Sequence, residues 1–322
     1  MIAKGSASTR LWPTLPRERV TGLLLAGATA FISGVAVFVN ATAVKAVPDA
    51  AVFTTLKNLV AVGILAVLAA AVVRPADVRG ISRPDRLSLV VIGLLGGGVA
   101  FLLFFTGLAL ASAPSAAFIH KTMFLWVALM AGPFLAERLG LAPVLALGAL
   151  LAGQILILPP LGITWGTGEA LIAMATVIWA VEVVLAKRVL GRVRSPIVGV
   201  ARLGIGLLVL FGFLLATGRI AGVAALEATA WMWVLITGGL LAGYVGTWMA
   251  ALRRAPATEV TSILVLGALV TAALTTVSRG TVPEVTTGSG YLLALLGVAA
   301  LLVTRRAREV TPAVALASND AG

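Results

Sequence analysis

Ten long apolar stretches recur along the 322-residue chain, and each is about as long as a helix that crosses a bilayer. Hydrophobic residues make up 60% of the sequence and charged residues 11%, whereas soluble domains have about 45–50% and about 25%. So few charges cannot cover so apolar a core in water, and the sequence predicts an all-α polytopic membrane protein. The predicted spans are 20–44, 50–73, 87–111, 113–136, 141–160, 166–187, 196–216, 229–251, 256–278 and 288–304.

Residue types that are scarce exclude several kinds of chemistry. The chain has no Cys, which excludes disulfides and thiolate nucleophiles, and its one His, His120, cannot form a multi-His metal site. It has no Gly-x-Ser-x-Gly elbow and no two acids on one helical face. It also lacks a Gly-x-x-x-x-Gly-Lys-Ser/Thr phosphate loop, so ATP cannot drive it directly. We therefore expect neither an enzyme, nor a cofactor, nor a metal site.

The basic residues predict the orientation. Of 24 Lys and Arg, 18 fall on one side of the predicted spans, three on the other and three within spans. The three on the sparse side are Lys45, Arg219 and Arg279. By the positive-inside rule, both termini are then cytoplasmic and the chain is a multi-pass protein of the plasma (cytoplasmic) membrane. The net charge of +12 is mostly this topology signal, so no nucleic-acid partner is expected.

The two halves of the chain repeat a spaced pattern. Ala113-Pro114-Ser115-Ala116 recurs as Ala255-Pro256-Ala257-Thr258, Gly93-x-x-x-Gly97 as Gly239-x-x-x-Gly243, and Lys57 has Arg202 as its counterpart. Five spans per half is an odd number, so the halves must insert with opposite orientation, as in secondary transporters. The predicted organisation is a cytoplasmic segment 1–19, five-helix repeats over 20–160 and 161–304, and a disordered cytoplasmic tail over 305–322.

Two segments resemble a known family. The stretch from Gly107 through Phe134-Leu-Ala-Glu137-Arg138 is similar to the first domain of EamA-type transporters of the drug/metabolite transporter superfamily. The stretch 170–190, with Trp179 and then Lys187-Arg188, resembles the start of a second such domain. The resemblance covers about 20–304 and implies a ten-helix transporter with a central cavity between its halves. Members of the family carry amino acids, sugar phosphates, purines or drugs.

Five ionisable residues lie inside predicted spans, where charge is costly and often marks a site: Lys57, His120, Lys121, Glu182 and Arg202. Helical rise places Lys57 and Lys121 at one level in the outer half, and Glu182 and Arg202 at one level in the inner half. The acid and the arginine form either a structural ion pair or a pair that titrates during transport. Either lysine could instead snorkel outward or pair with Asp49 or Glu169, and His120 could be a hydrogen-bonded core residue.

Lys57, Lys121 and His120 are predicted to bind the anionic group of a substrate, and aromatic residues near the charges complete this predicted substrate site. Phe124 is four residues from His120, Trp179 is one turn from Glu182, and Tyr244 and Trp248 share a face of the eighth span. Aromatic residues at such spacing also commonly serve only for packing.

These features favour a secondary-active exporter of a small organic metabolite by alternating access, with an amino acid or organic acid preferred. A proton or an exchanged metabolite would be the coupling species. An exporter of cationic or neutral drug-like compounds is the alternative. An intramembrane enzyme, a channel and a non-transporting membrane protein are the competing classes, and no repeated selectivity ring supports a channel.

Overall fold

The chain folds as a bundle of α-helices, with no strand in the part that the structure describes. A computed structural model describes residues 17–47, 49–111, 113–137, 139–157, 165–280 and 284–319. The helices are α1 (Arg17–Ala46), α2 (Ala50–Val72), α3 (Pro75–Arg79), α4 (Arg83–Ile92), α5 (Ala100–Leu110), α6 (Ala113–Lys121), α7 (Met123–Leu135), α8 (Leu141–Ile157), α9 (Thr167–Leu190), α10 (Ser195–Ala216), α11 (Ala221–Ala224), α12 (Ala228–Arg254), α13 (Ala257–Leu264), α14 (Gly267–Arg279) and α15 (Val285–Asn319). A π-helical segment, Gly93–Val99, joins α4 to α5.

Nine stretches of the described chain are long and apolar enough to cross a membrane, and they coincide with nine of the predicted spans. The fifth predicted span, 141–160, contains α8, which is apolar but has only 17 residues in the described part. The fold class predicted from the sequence is therefore confirmed: an all-helical polytopic protein of two five-helix repeats.

Polar residues at the ends of the apolar stretches set the helix boundaries. The Asp49 carboxylate accepts hydrogen bonds from the backbone N–H groups of Ala51 (2.8 Å) and Val52 (3.2 Å), which caps α2. Ser82 caps α4 in the same way through the N–H of Asp85. Ala136, in a left-handed conformation with φ of 54°, ends α7 and directs the chain to Glu137.

Three of the spans are irregular at mid-length. The third passes through the π-helical segment, whose Gly93, Gly96, Gly97 and Gly98 are all buried. The fourth is broken at Thr122, between α6 and α7, and the ninth at Val265–Leu266, between α13 and α14. The breaks in the fourth and ninth spans fall at matching places in the two repeats, and discontinuous helices commonly form the sites of secondary transporters.

Glycine contacts show the relation between the halves. A Cβ at Gly22 of α1 would lie 2.9 Å from the Cβ of Ala255, and a Cβ at Gly168 of α9 would lie 2.7 Å from the backbone N of Ala111. Gly168 follows Gly22 by 146 residues, and Ala255 follows Ala111 by 144. The contact between the first and eighth spans is therefore repeated by a contact between the sixth and third spans.

The ends of the chain differ in part from the predicted organisation. Helix α15 continues to Asn319, so most of the tail 305–322, which we expected to be disordered, is helical. The segment continues a helix that packs in the bundle, and its Ala and Arg residues favour helix, whereas Pro312 does not. Most of the predicted segment 1–19 and the predicted boundary at 160/161 lie outside the described residues.

Candidate functional site

Four aromatic rings from the third and sixth spans form the centre of the candidate site. This aromatic cluster consists of Phe101, Phe104, Phe105 and Trp179. Phe101 stacks on Phe105 with ring centroids 6.2 Å apart, and Trp179 lies 5.4 Å from both Phe101 and Phe104. The Trp179 indole N–H donates a 2.9 Å hydrogen bond to the carbonyl of Gly96 in the π-helical segment. The cluster thus ties α9 to the irregular part of the third span.

Lys57 lies against this cluster from the second span. Its Nζ is 5.2 Å from the ring centroid of Phe53 and 5.5 Å from that of Phe105, so two rings face the cation. No carboxylate of the described residues lies within ion-pair distance of Lys57. The two acids considered as partners are engaged elsewhere, since Asp49 is 3.6 Å from Arg219 and Glu169 accepts the N–H of Gly166.

His120 and Lys121 end the first segment of the broken fourth span. The His120 ring lies 4.9 Å from Trp179 and 5.3 Å from Phe104, so the structure brings His120 to the aromatic cluster. The buried His120 Nδ1 has no hydrogen-bond partner in the structure. Lys121 is half-buried and makes no ion pair with the described residues.

The structure brings Glu182 and Arg202 together, as their estimated depths predicted. Glu182 Oε1 lies 3.2 Å from Arg202 Nε, and the two side chains are 1% and 8% exposed. Arg202 also faces the Phe101 ring, at 5.9 Å from its centroid. The pair therefore borders the aromatic cluster at Phe101, whereas Lys57 lies against Phe105. Whether it serves coupling or only structure stays a prediction.

The remaining predicted site residues divide into two groups. Tyr244 and Trp248 stack with centroids 6.0 Å apart, and Tyr244 is near enough to interact electrostatically with Glu182 and Arg202. Phe124 is buried in the hydrophobic core, at 1% exposure. The break at Thr122 separates Phe124 from the helix that carries His120, so the single helical face predicted for these two residues is interrupted.

Sequence reasoning missed residues on the third span and at the end of the fourth. Phe101, Phe104 and Phe105 follow the i, i+3, i+4 spacing of one helical face, which could have drawn attention to them. Glu137 entered only as part of the family resemblance, yet its carboxylate accepts the N–H of Ala257 at 2.6 Å and the hydroxyl of Thr258 at 2.8 Å. It therefore joins the first half to the start of α13.

Further ion pairs join the halves on the side rich in basic residues. Asp85 binds Arg192 at 2.6 Å, and Asp77 binds Arg194 at 2.8 Å. The backbone N–H of Arg74 and the Arg194 guanidinium lower the pKa of Asp77 below its ordinary value. Within the described ranges, no three His, Asp or Glu residues are grouped as a metal ion would require.

Comparisons with known proteins agree with this architecture. The model of a family described as the EamA-like transporter family matches residues 20–158 and 166–303. A solved structure described only as "Crystal structure of protein" is similar to this chain, with a TM-score of 0.70 and 19% identity over 89% of this chain and 98% of that one. At this identity the likeness shows a shared fold. No curated protein matches the chain. Since the family model covers both halves, the chain is a multi-pass membrane protein that belongs to the EamA-like transporter family of the drug/metabolite transporter superfamily.

Proposed function

We propose that the protein is a secondary-active exporter of a small organic acid or amino acid, working by alternating access in the cytoplasmic membrane. The family supplies the general activity, transport of a small molecule across a membrane. The distribution of basic residues supports cytoplasmic termini. The residues around the aromatic cluster support the substrate class.

The observation that carries the substrate class is the unpaired charge of Lys57. The two halves supply matching cations, Lys57 and Arg202, but among the described residues only Arg202 has a carboxylate beside it. Glu182 is the partner there, and the corresponding position in the first span, 146 residues earlier, is Ala36. A cation that is half-buried without a counter-ion is costly in a membrane. A carboxylate or phosphate on the substrate would neutralise it.

His120 and Lys121 extend this positive region. The unpartnered Nδ1 of His120 can accept a hydrogen bond when the ring is neutral and that nitrogen is unprotonated, or donate one otherwise. The rings of Phe104 and Trp179 offer apolar surface beside it. A ligand with one anionic end and a small organic body would use both features.

A cationic drug fits this arrangement less well. Glu182 is the carboxylate that adjoins the aromatic cluster in the described part of the chain, and Arg202 already occupies it. A cation would have to displace Arg202 and approach Lys57. Because the sequence has no phosphate loop, the energy source is an ion gradient or exchange, with a proton or a second metabolite as the coupling species.

Reconstituted vesicles test the proposal. Purified protein in proteoliposomes is loaded with an unlabelled amino acid or organic acid, and uptake of the same labelled compound is measured against protein-free vesicles. Saturable uptake that is accelerated by the internal compound is the expected result. Linear flux would indicate a channel, and transport confined to organic cations would overturn the anionic substrate class.

A further inference from the structure

The first segment of the broken ninth span, α13, is enclosed by the bundle. Every one of its eight residues, Ala257–Leu264, is buried, and they include the polar Thr258, Glu259, Thr261 and Ser262. It lies against α1 and α7 of the first half and α15 of the second. A short, fully buried helix between two halves that must move apart is well placed to act as a gate.

Two side chains of the first half hold α13. The Arg19 guanidinium donates from Nη2 to Glu259 Oε1 at 2.6 Å and from Nε to Oε2 at 3.3 Å. These side chains are only 7% and 0% exposed. Glu137 accepts the N–H groups of Ala257 at 2.6 Å and Thr258 at 3.3 Å, which caps the start of the helix. Two residues of the first half thus hold α13. Glu137 binds the backbone of its first turn, and Arg19 binds the Glu259 carboxylate.

Lys187, from the end of the sixth span, completes the arrangement. Its Nζ donates to the carbonyl oxygens of Leu252 and of Ala255, at 2.8 Å for the latter, just before α13 begins. It also interacts electrostatically with Glu137 and Glu259. We name Arg19, Glu137, Lys187 and Glu259 together the inner latch.

The opposite face lacks the residue types for an equivalent latch. The repeat counterpart of α13 is α6, and 142 residues before Glu259 the sequence has Ala117. Trp165 stands 146 residues after Arg19, and Arg279 stands 142 residues after Glu137. These three charged residues of the inner latch therefore have no charge-matched counterparts at the repeat-related positions of the other half.

We propose that α13 is the cytoplasmic gate of the transporter and that the inner latch holds it closed. Opening to the cytoplasm breaks the Arg19–Glu259 pair and the Glu137 cap together, since both join α13 to the other half. Glu137 and Arg19 are then positioning residues that set the balance between closed and open states without touching substrate. The inference rests on the proposed alternating access and orientation.

Accessibility of a single thiol tests the gate, because the native chain contains no Cys. Ser262 on α13 is fully buried and its hydroxyl has no hydrogen-bond partner, so Ser262→Cys is a mild change. Inside-out vesicles are treated with a membrane-impermeant maleimide, and the labelling rate of Ser262→Cys is measured alone and with Glu259→Gln. We expect slow labelling alone and about tenfold faster labelling with Glu259→Gln, because loss of the two-point contact between Arg19 and Glu259 destabilises the closed state.

Two further variants keep the test decisive. Arg19→Lys preserves the charge but loses the two-point contact, so intermediate labelling is expected, and it decides the result if Glu259→Gln does not fold. Asp77→Asn removes a partly exposed pair between the halves on the same face, which solvent screens, so it should raise the rate far less than the latch variants do. Equal acceleration by Asp77→Asn, no acceleration by either latch variant, or acceleration only in right-side-out vesicles would overturn the gate. The readout needs no substrate, so failure of the vesicle transport assay would reject the proposed function separately.

Discussion

Glu182 touches both a cation and a glycine: its Oε1 lies 3.2 Å from Arg202 Nε, and its side chain packs directly on Gly96. A Cβ at Gly96 would lie only 2.9 Å from Glu182 Oε2, so the carboxylate occupies the space that the missing side chain leaves. The ion pair of the second half is thereby set against the π-helical segment of the first. Movement of the third span at this segment would change the surroundings of the pair.

The first prediction concerns this ion pair. Glu182→Gln leaves Arg202 as an uncompensated buried charge, and loss of one partner of such a pair typically costs about 3–5 kcal/mol. Glu182→Gln combined with Arg202→Gln leaves no lone charge, so the double variant should be more stable than Glu182→Gln alone. Thermal unfolding in detergent, followed by tryptophan fluorescence, measures both. Purely additive effects of the two substitutions would show that the contact contributes nothing.

The second prediction uses two glycines that the sequence pattern treated alike. A Cβ at Gly97 would overlap the carbonyl oxygen of Arg202, whereas a Cβ at Gly239 would meet nothing within 4 Å. Gly97→Ala should therefore lower the free energy of unfolding by about 1–3 kcal/mol, the usual cost of overpacking. Gly239→Ala is the matched control and should be neutral or stabilising by a few tenths of a kcal/mol, because Ala favours helix. The same unfolding assay compares them, and similar losses in both would contradict the packing described here.

Several features of the site follow from local sequence. The apolar first span, with Ala36 where the sixth span has Glu182, made Lys57 a cation without an obvious partner. Constant helical rise placed Glu182 and Arg202 at one depth. A Gly-x-x-x-Gly pattern is typical of closely packed helices, and Gly97 does pack closely. In the eighth span, however, the glycine in close contact is Gly238, whose Cβ would lie 3.0 Å from the carbonyl oxygen of Lys57. One residue of helix rotates a side chain by a quarter turn, so spacing alone does not select the face.

Other features depend on contacts between distant parts of the chain. The break at Thr122 has neither Pro nor Gly beside it, so no local signal marks it. The role of Glu137 requires α13, which begins 120 residues later. The aromatic cluster requires α5 and α9 to lie together, and helical periodicity cannot show which helices become neighbours.

The third prediction concerns orientation. A green fluorescent protein fused after Arg308 should fluoresce, because that protein folds in the cytoplasm and the basic residues place this end there. The matched control is an insertion beside Arg219, in the connection between α10 and α12 on the sparsely charged side, which should stay dark. Dark fusions at Arg308 with correct membrane insertion would reverse the proposed topology and the cytoplasmic assignment of the gate.

The fourth prediction concerns the two unpaired lysines. Lys57→Gln and Lys121→Gln should each reduce transport of an anionic substrate by about tenfold or more, equivalent to ~1.4 kcal/mol of lost interaction. Membrane insertion and thermal stability should hold, because neither lysine has a carboxylate partner among the described residues that its loss would strand. Initial uptake rates in proteoliposomes, measured over a range of substrate concentrations, give the size of the effect.

Arg253→Gln is the control for the lysine variants. Arg253 is an exposed cation in the last turn of α12, so its removal takes away one positive charge, as each lysine variant does, but leaves the site unchanged. Its uptake should stay near that of the native protein at moderate ionic strength. Lys57→Arg adds a second comparison, because it keeps the charge between Phe53 and Phe105 and should retain more transport than Lys57→Gln. Full uptake of the anionic substrate by the combined Lys57→Gln and Lys121→Gln variant would show that these cations do not bind it, and the substrate class would then have to be sought elsewhere in the bundle.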